Sequence, residues 1–273
     1  MEQFPASLIL AGAGRMGGAM LEGWLEGGLA PASIQVIEPH PSEALTALAR
    51  RTGFQLNPPA ASLRPARALV LGVKPQMLAE AAPALAPLTG PDGFVLSILA
   101  GKTLANLAAT FPRAGGVVRV MPNLPASIRR GVSVAVASPG VDGPRRAEAD
   151  ALLRAAGDVE WVTDENLIDA VTAVSGSGPA YVFHLVEAMA EAGVAAGLPR
   201  ALAENLARKT VIGSSDLMRA SDASAAALRE AVTSPGGTTF AALQVLMRDG
   251  DGMPALLTEA IAAAARRSRE LSG

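Results

Sequence analysis

Cysteine is absent from this chain of 273 residues, and histidine occurs only twice. The first absence excludes a disulfide scaffold, a Cys-based zinc site and a thiol nucleophile. The second excludes a His-rich metal centre, and no metal site is expected. Aromatic residues make up 3% and charged residues 18%, with a formal net charge of -2. So even a balance offers no basic surplus to neutralise phosphates, and a nucleic-acid partner is not expected. Long apolar runs are missing too. Phe94 to Ala100 is strand-sized, and Tyr181 to Leu198 contains His184, Glu187 and Glu191. A spanning helix needs roughly 20 mostly apolar residues, so no membrane segment is expected. The N-terminus lacks a basic n-region, and Ser7 to Ala11 runs straight into a glycine motif. The expectation is a cytoplasmic chain without a signal peptide.

What is present is small and apolar. Half the residues are hydrophobic, with 28 glycines and 20 prolines. That is enough to build a core, which argues against wholesale disorder. Over the first 163 residues short apolar runs alternate with helical patterns. Strands are predicted at Ser7–Ala11, Ile34–Glu38, Phe54–Leu56, Ala68–Val73, Phe94–Leu99, Val117–Met121, Val132–Ala137 and Val159–Val162. Helices are predicted at Met16–Gly27, Ser42–Arg51 with Ser42 as N-cap, Thr103–Phe111 and Ala147–Ala156. Gln76–Leu88 reads as helix broken by Pro83 and Pro87. This spacing predicts βαβ units, and so an α/β fold with a mostly parallel, doubly wound sheet.

From Asp164 to the end at 273 the strand runs vanish. Helices are predicted at Pro179–Gly197, Pro199–Ala220, Ala223–Val232, Thr238–Arg248 and Met253–Glu270. The first is apolar nearly all round, which a helical domain of about 110 residues struggles to bury alone. The expectation is a dimer in which these helices pack across subunits.

Two segments carry chemistry. Gly12-Ala13-Gly14-Arg15-Met16-Gly17 is a G-x-G-x-x-G between a strand and a helix. Gly12 allows the tight turn, Gly14 lets backbone approach a pyrophosphate, and Gly17 permits close helix–strand packing. The helix N-terminus then offers free N–H groups to phosphate. Glu38, ending the second strand, suits the ribose hydroxyls of NAD and repels a 2′-phosphate, although His40 beside it could meet one. Asn57 either reaches the adenosine or simply turns the chain before Pro58-Pro59. Val73-Lys74-Pro75, Ala100-Gly101 and Met121-Pro122-Asn123 follow three further strands and are expected to face the same crevice. The second segment is Thr233-Ser234-Pro235-Gly236-Gly237-Thr238-Thr239, between two helices. Its hydroxyls, its glycine N–H groups and the helix that follows suit a small carboxylate, while a plain capping loop with Thr238 as N-cap is the alternative. Ser175-Gly176-Ser177-Gly178-Pro179 breaks the helical pattern before the longest helix.

These motifs resemble the pyrroline-5-carboxylate reductase family over essentially the whole chain. The resemblance rests on Gly-Ala-Gly-Arg-Met-Gly at 12–17, Val-Lys-Pro-Gln at 73–76 and Arg-Val-Met-Pro-Asn at 119–123. It rests more specifically on Ser-Gly-Ser-Gly-Pro-Ala-Tyr at 175–181, Gly-Leu-Pro at 197–199 and Thr-Ser-Pro-Gly-Gly-Thr-Thr at 233–239. It implies NAD(P)H-dependent reduction of L-Δ1-pyrroline-5-carboxylate to L-proline. It also implies a Rossmann domain followed by a helical dimerisation domain, often built into a decamer of five dimers. In the family the loop matching 233–239 holds the substrate carboxylate, which carries Ser234, Gly237 and Thr239 over, with Gly236 and Thr238 between them. Thr239 matches the threonine near the ring nitrogen. Asp222 falls near a family acid that faces that nitrogen, and also reads as the N-cap of the helix from Ala223. Glu38 departs from the small or basic residue of many NADPH-using relatives, leaving NADH against NADPH open. Two other readings stay open: a 3-hydroxyacid dehydrogenase using Lys209, and a non-catalytic dinucleotide sensor.

Overall fold

The computed structural model describes residues 4–272, which divide into two compact units. The first runs to Gly176 and takes up the chain again from Ala265, and the second is Ser177–Ala264. Residues 164–176, expected with the helical half, pack with the sheet.

The first unit alternates strand and helix. In chain order it contains β1 (Leu8–Ala11), α1 (Arg15–Glu26), β2 (Ile34–Ile37), α2 (Glu43–Thr52), β3 (Gln55–Leu56) and β4 (Ala68–Leu71). There follow α3 (Leu78–Leu85), β5 (Phe94–Ser97), α4 (Leu104–Thr110), β6 (Val117–Met121), β7 (Gly131–Ala137), α5 (Gly143–Arg154), β8 (Gly157–Trp161) and α6 (Leu167–Val171). The strand order is β3-β2-β1-β4-β5-β6-β7-β8, parallel except where β6 meets β7. Strand β1 sits between β2 and β4, with Leu10 opposite Val36 and Val70. That position, where the order reverses, is the crevice in which doubly wound sheets bind ligands.

Side chains along β1 alternate between two cores. Leu8 and Leu10 join Met20, Leu21, Trp24 and Leu152 on one face, and Ile9 and Ala11 join Leu71, Leu78, Leu107 and Phe111 on the other. This is the period of two expected of a strand covered on both sides. Trp24 is fully buried and its indole N–H donates to the Leu152 carbonyl at 2.7 Å, tying α1 to α5.

Three local differences from the sequence expectation have simple causes. Helix α5 starts at Gly143, not Ala147, because Asp142 caps it by accepting from the Arg145 N–H and Pro144 fits its first turn. The 76–88 segment is a 3₁₀ turn at Pro75–Met77, then α3 containing Pro83, then a second 3₁₀ turn at Ala86–Leu88. The segment expected to break the helical pattern is itself wound: α6 runs into a π turn at Thr172–Gly176. A Cβ on Gly176 would strike the Met121 side chain, so glycine there admits the end of β6.

The second unit is all helical, with α7 (Gly178–Ala195), α8 (Arg200–Arg219), α9 (Ala225–Ala231), α10 (Thr238–Leu246) and most of α11 (Met253–Ser272). Gly197 at φ +102 turns α7 into α8, and Gly193 lets the two helices close on Ala203. Among the described residues of this unit the buried apolar side chains are all alanines: Ala190, Ala203 and Ala207. Phe183, Leu206, Ile212, Val245 and Leu256 are exposed. The unit has apolar surface but no large-residue core of its own.

The last turns of α11 belong to the sheet unit. Ser268 donates to Asp169 at 2.6 Å. Gly101, at φ +73, leaves room for the Leu271 carbonyl, which lies 2.8 Å from where a Cβ would be.

Candidate active site

The site begins at the β1–β4 switch point. Gly12 has φ +91, and a Cβ there would collide with the backbone of Gly72 and Val73. Gly72 answers it, since its own Cβ would sit 2.5 Å from the Gly12 carbonyl. The two strand ends therefore touch backbone to backbone. Gly17 is buried and a Cβ on it would meet the Gly12 carbonyl, so it sets α1 against β1. Gly14 differs. It is exposed, its φ is an ordinary -65°, and no protein atom lies within 4 Å of a Cβ built there. Nothing in the fold demands glycine at 14, whereas a close-approaching phosphate does.

Above Gly14 opens a cleft of about 770 Å³. Gly12, Ala13, Gly14, Arg15, Glu38, Val73 and Lys74 line it, together with His40, Ser42, Gly72, Met77 and Ser127. Gly14 is the N-cap of α1 and supplies no side-chain cap, so the first-turn N–H groups face the cleft without an intrahelical partner. The chemistry of this donor set fits a pyrophosphate. The volume lies within the usual range for a ligand cleft.

Seven of the expected cofactor residues do not line this cleft. Met16 turns its side chain into the core beneath α1, and Gly17 is spent on packing. Asn57 turns its amide to the Glu38 backbone and is not among the residues that line the cleft. Its backbone is left-handed at φ +48, and its amide clamps Glu38, accepting from the N–H and donating to the carbonyl, each at 2.8 Å. Pro75 opens the 3₁₀ turn and leaves Met77 to face the cleft. Ala100 is exposed on its loop, and Gly101 packs on Leu271. Asn123 accepts from the Val132 N–H at 3.0 Å, joining the end of β6 to β7. Sequence reasoning missed Gly72 and Ser127. Gly72 carried a signal, a lone glycine at the end of an apolar strand, which marks a close backbone approach. Ser127 lies in a 3₁₀ turn with no local signature.

Glu38 is held at three places. Its side chain accepts from the Ala13 N–H at 2.9 Å and the His40 N–H at 3.1 Å, and its backbone is gripped by Asn57.

In the second unit the 233–239 segment connects α9 to α10. Gly236 has φ +69, and the Gly237 N–H donates to the Ser234 carbonyl at 3.0 Å, closing a tight turn. The N-cap of α10 is Gly237, not Thr238, and it offers no side-chain oxygen. The N–H groups of Thr238, Thr239 and Phe240 thus have no intrahelical partner. Ser234 and Thr238 are exposed and Thr239 is half-buried. The hydroxyl of Thr233 is already committed, donating to the Arg229 carbonyl at 2.6 Å. Asp222 does not cap α9. Ser224 does, accepting from the Ala227 N–H, and Asp222 is left exposed ahead of it. Lys209 is exposed on α8. Among the described residues there is no cluster of metal-ligating side chains, and no helix is long and apolar enough to cross a membrane.

A doubly wound sheet with a glycine-lined cleft at its switch point, followed by a helical unit rich in exposed apolar residues, defines an NAD(P)-dependent oxidoreductase with a dimerisation domain. Two family models match accordingly: "NADP oxidoreductase coenzyme F420-dependent" over residues 8–101, and "Pyrroline-5-carboxylate reductase dimerisation" over residues 165–271. A pyrroline-5-carboxylate reductase of Pseudomonas aeruginosa is 38% identical over 261 residues, covering 96% of this chain and 95% of its own. The solved pyrroline-5-carboxylate reductase of Coxiella burnetii superposes with a TM-score of 0.89 at 32% identity, over 98% of this chain and 99% of its own. That of Plasmodium falciparum, solved with NADP bound, gives 0.78 at 25% identity over the full length of both chains. The chain belongs to the pyrroline-5-carboxylate reductase family.

Proposed function

We infer that this chain reduces L-Δ1-pyrroline-5-carboxylate to L-proline with NAD(P)H, as a homodimer in the cytoplasm that can assemble further into a decamer. The observation that carries the reading is the open space over Gly14 beside the free N–H groups of α1, in a chain related over its full length to reductases of that name. Exposed Phe183, Ile212 and Leu256 support self-association through the helical unit.

When bound, the reduced nicotinamide supplies the hydride. Gly14 and Arg15 would hold the pyrophosphate through backbone N–H groups and the helix end, next to Ala13, whose own N–H is taken by Glu38, and Val73 and Lys74 line the way along the cleft. In the helical unit, Ser234, Gly236, Gly237, Thr238 and Thr239 hold the substrate carboxylate. The unpartnered N–H groups at the start of α10 and its positive dipole end favour an anion there. The Thr239 hydroxyl hydrogen-bonds the ring nitrogen. The imine carbon is most electrophilic when that nitrogen is protonated, so fixing the ring does most of the work. The proton arrives with the substrate or through water, with Asp222 as the assigned alternative donor. Steady-state turnover of pyrroline-5-carboxylate tests the reading. Oxidation of NADH or NADPH only when the imine is present is expected, and no turnover with either would overturn it.

A further inference from the structure

The feature that this reading leaves unused is the immobilisation of Glu38. An acid at the end of the second strand of such a sheet meets the adenosine ribose at its 2′ position. An acid on a free backbone could swing aside to admit a 2′-phosphate. Glu38 has no such freedom. Asn57 pins both its backbone N–H and its carbonyl, and adopts a left-handed conformation to do so. The carboxylate is fastened to the N–H of Ala13, inside the glycine motif, and to that of His40. Each oxygen accepts one of these bonds and has the capacity to accept a second, from a hydroxyl. The Glu-Pro-His-Pro-Ser segment at 38–42 contains no lysine or arginine, and its two prolines stiffen it. The cationic residues that line the cleft, Arg15 and Lys74, stand at the start of α1 and after β4 instead.

We propose that Glu38, locked by Asn57 and Ala13, makes this chain select NADH over NADPH. The inference rests on the reductase reading, since it concerns the coenzyme of the same site. A ribose 2′-hydroxyl donates to the fixed carboxylate, whereas a 2′-phosphate brings about two negative charges against it with no lysine or arginine in the 38–42 segment to offset them, His40 being the one basic side chain there. Glu38 is thus a specificity residue, and Asn57 a positioning residue acting through it.

Equilibrium binding tests this without turnover. Dissociation constants of NADH, NADPH, ADP-ribose and 2′-phospho-ADP-ribose would be measured by calorimetry on the dimeric full chain. NADH should bind at least about tenfold more tightly than NADPH, with the two ADP-ribose probes differing in the same direction, a gap that a single charge contact suffices to create. Glu38→Gln keeps an acceptor for Ala13 but removes the charge, and should shrink that ratio about tenfold or more. Asn57→Gly keeps the left-handed backbone without the clamp, and should shrink it part of the way. A purely structural role for Asn57 would weaken both coenzymes alike and leave the ratio fixed. Tighter NADPH binding by the parent chain, or an unchanged ratio in Glu38→Gln, overturns the proposal. If imine turnover persists in that case, the reductase reading stands. Binding of neither nucleotide would overturn both.

Discussion

Arg119 on β6 and Glu165 on the loop before α6 form an ion pair at 2.7 Å, and the same Glu165 oxygen accepts from the Leu104 N–H at the start of α4 at 2.8 Å. One carboxylate oxygen thus joins three elements of the sheet unit. The Arg119 side chain is only 7% exposed, so its charge depends on that partner. Glu165→Ala should destabilise the unit by about 3–5 kcal/mol, mostly by stranding the guanidinium. Replacing both partners with methionine should recover much of that loss. Urea unfolding of the parent and the two variants measures the difference, and equal losses in the single and double variants would contradict it.

Two glycines of one motif should behave oppositely. Gly14→Ala meets no protein atom, so its unfolding free energy should stay within about 1 kcal/mol of the parent. Its nucleotide affinity should fall by about tenfold or more, because the methyl occupies the phosphate's approach. Gly17→Ala runs into the Gly12 carbonyl and should lose about 1–3 kcal/mol through forced overpacking. Thermal melts beside calorimetric binding would separate the two, and a Gly14→Ala chain that binds normally would refute the pyrophosphate assignment.

Thr239→Ala should lower kcat about tenfold to a hundredfold, the worth of one hydrogen bond to a group that carries charge. Thr239→Ser should keep most of the activity. If the alanine variant turned over at the parent rate, the hydroxyl would have no part at the ring nitrogen.

The helical unit buries only alanines among its apolar side chains, so its stability should depend on chain concentration. Sedimentation equilibrium should give no mass below that of a dimer at micromolar concentration. Phe183→Glu, at a side chain 57% exposed in the single chain, should shift that mass towards the monomer and lower the melting temperature. A monomer of unchanged stability in the parent would count against it.

Arg200 on α8 donates two hydrogen bonds to Glu191 on α7, at 2.7 and 3.0 Å. Those bonds first, and the positive charge second, hold the Glu191 carboxyl below its ordinary value. A carboxyl depressed in the folded state adds stability above its unfolded pKa and loses it as pH falls through the lower folded value. Arg200→Gln should therefore be less stable than the parent at neutral pH, by a small amount because the pair is exposed. The two chains should converge in acid below the ordinary carboxylate range. A difference that persisted there would show that the ion pair is not its source.

Much of this is legible in the sequence. The alternation of Leu8, Ile9, Leu10 and Ala11 already implied a strand covered on both faces, and the spacing of Gly12, Gly14 and Gly17 implied its turn. What the chain concealed was long-range backbone bonding. Asn57 looked like a ligand contact or a turn residue, and only its pairing with a residue nineteen positions earlier reveals a clamp. Ser224 and Asp222 are equally good caps on paper, and the choice between them depends on where the first turn of α9 begins. Thr233 reads as a donor for a ligand, whereas its hydroxyl already donates to the Arg229 carbonyl. Side chains that satisfy backbone groups leave no periodicity to read.

The return of α11 to the sheet unit bears on how the chain is made. Ser268 reaches Asp169, and the Leu271 carbonyl fills the space that Gly101 leaves, so part of the packing after β5 is supplied by turns synthesised after the whole helical segment. Domains generally fold as units and N-terminal first during synthesis. Here the N-terminal unit lacks part of itself until the whole helical segment has been translated. Its final consolidation is a late event, and deletion of the last turns of α11 would register first as loosening of the dinucleotide half.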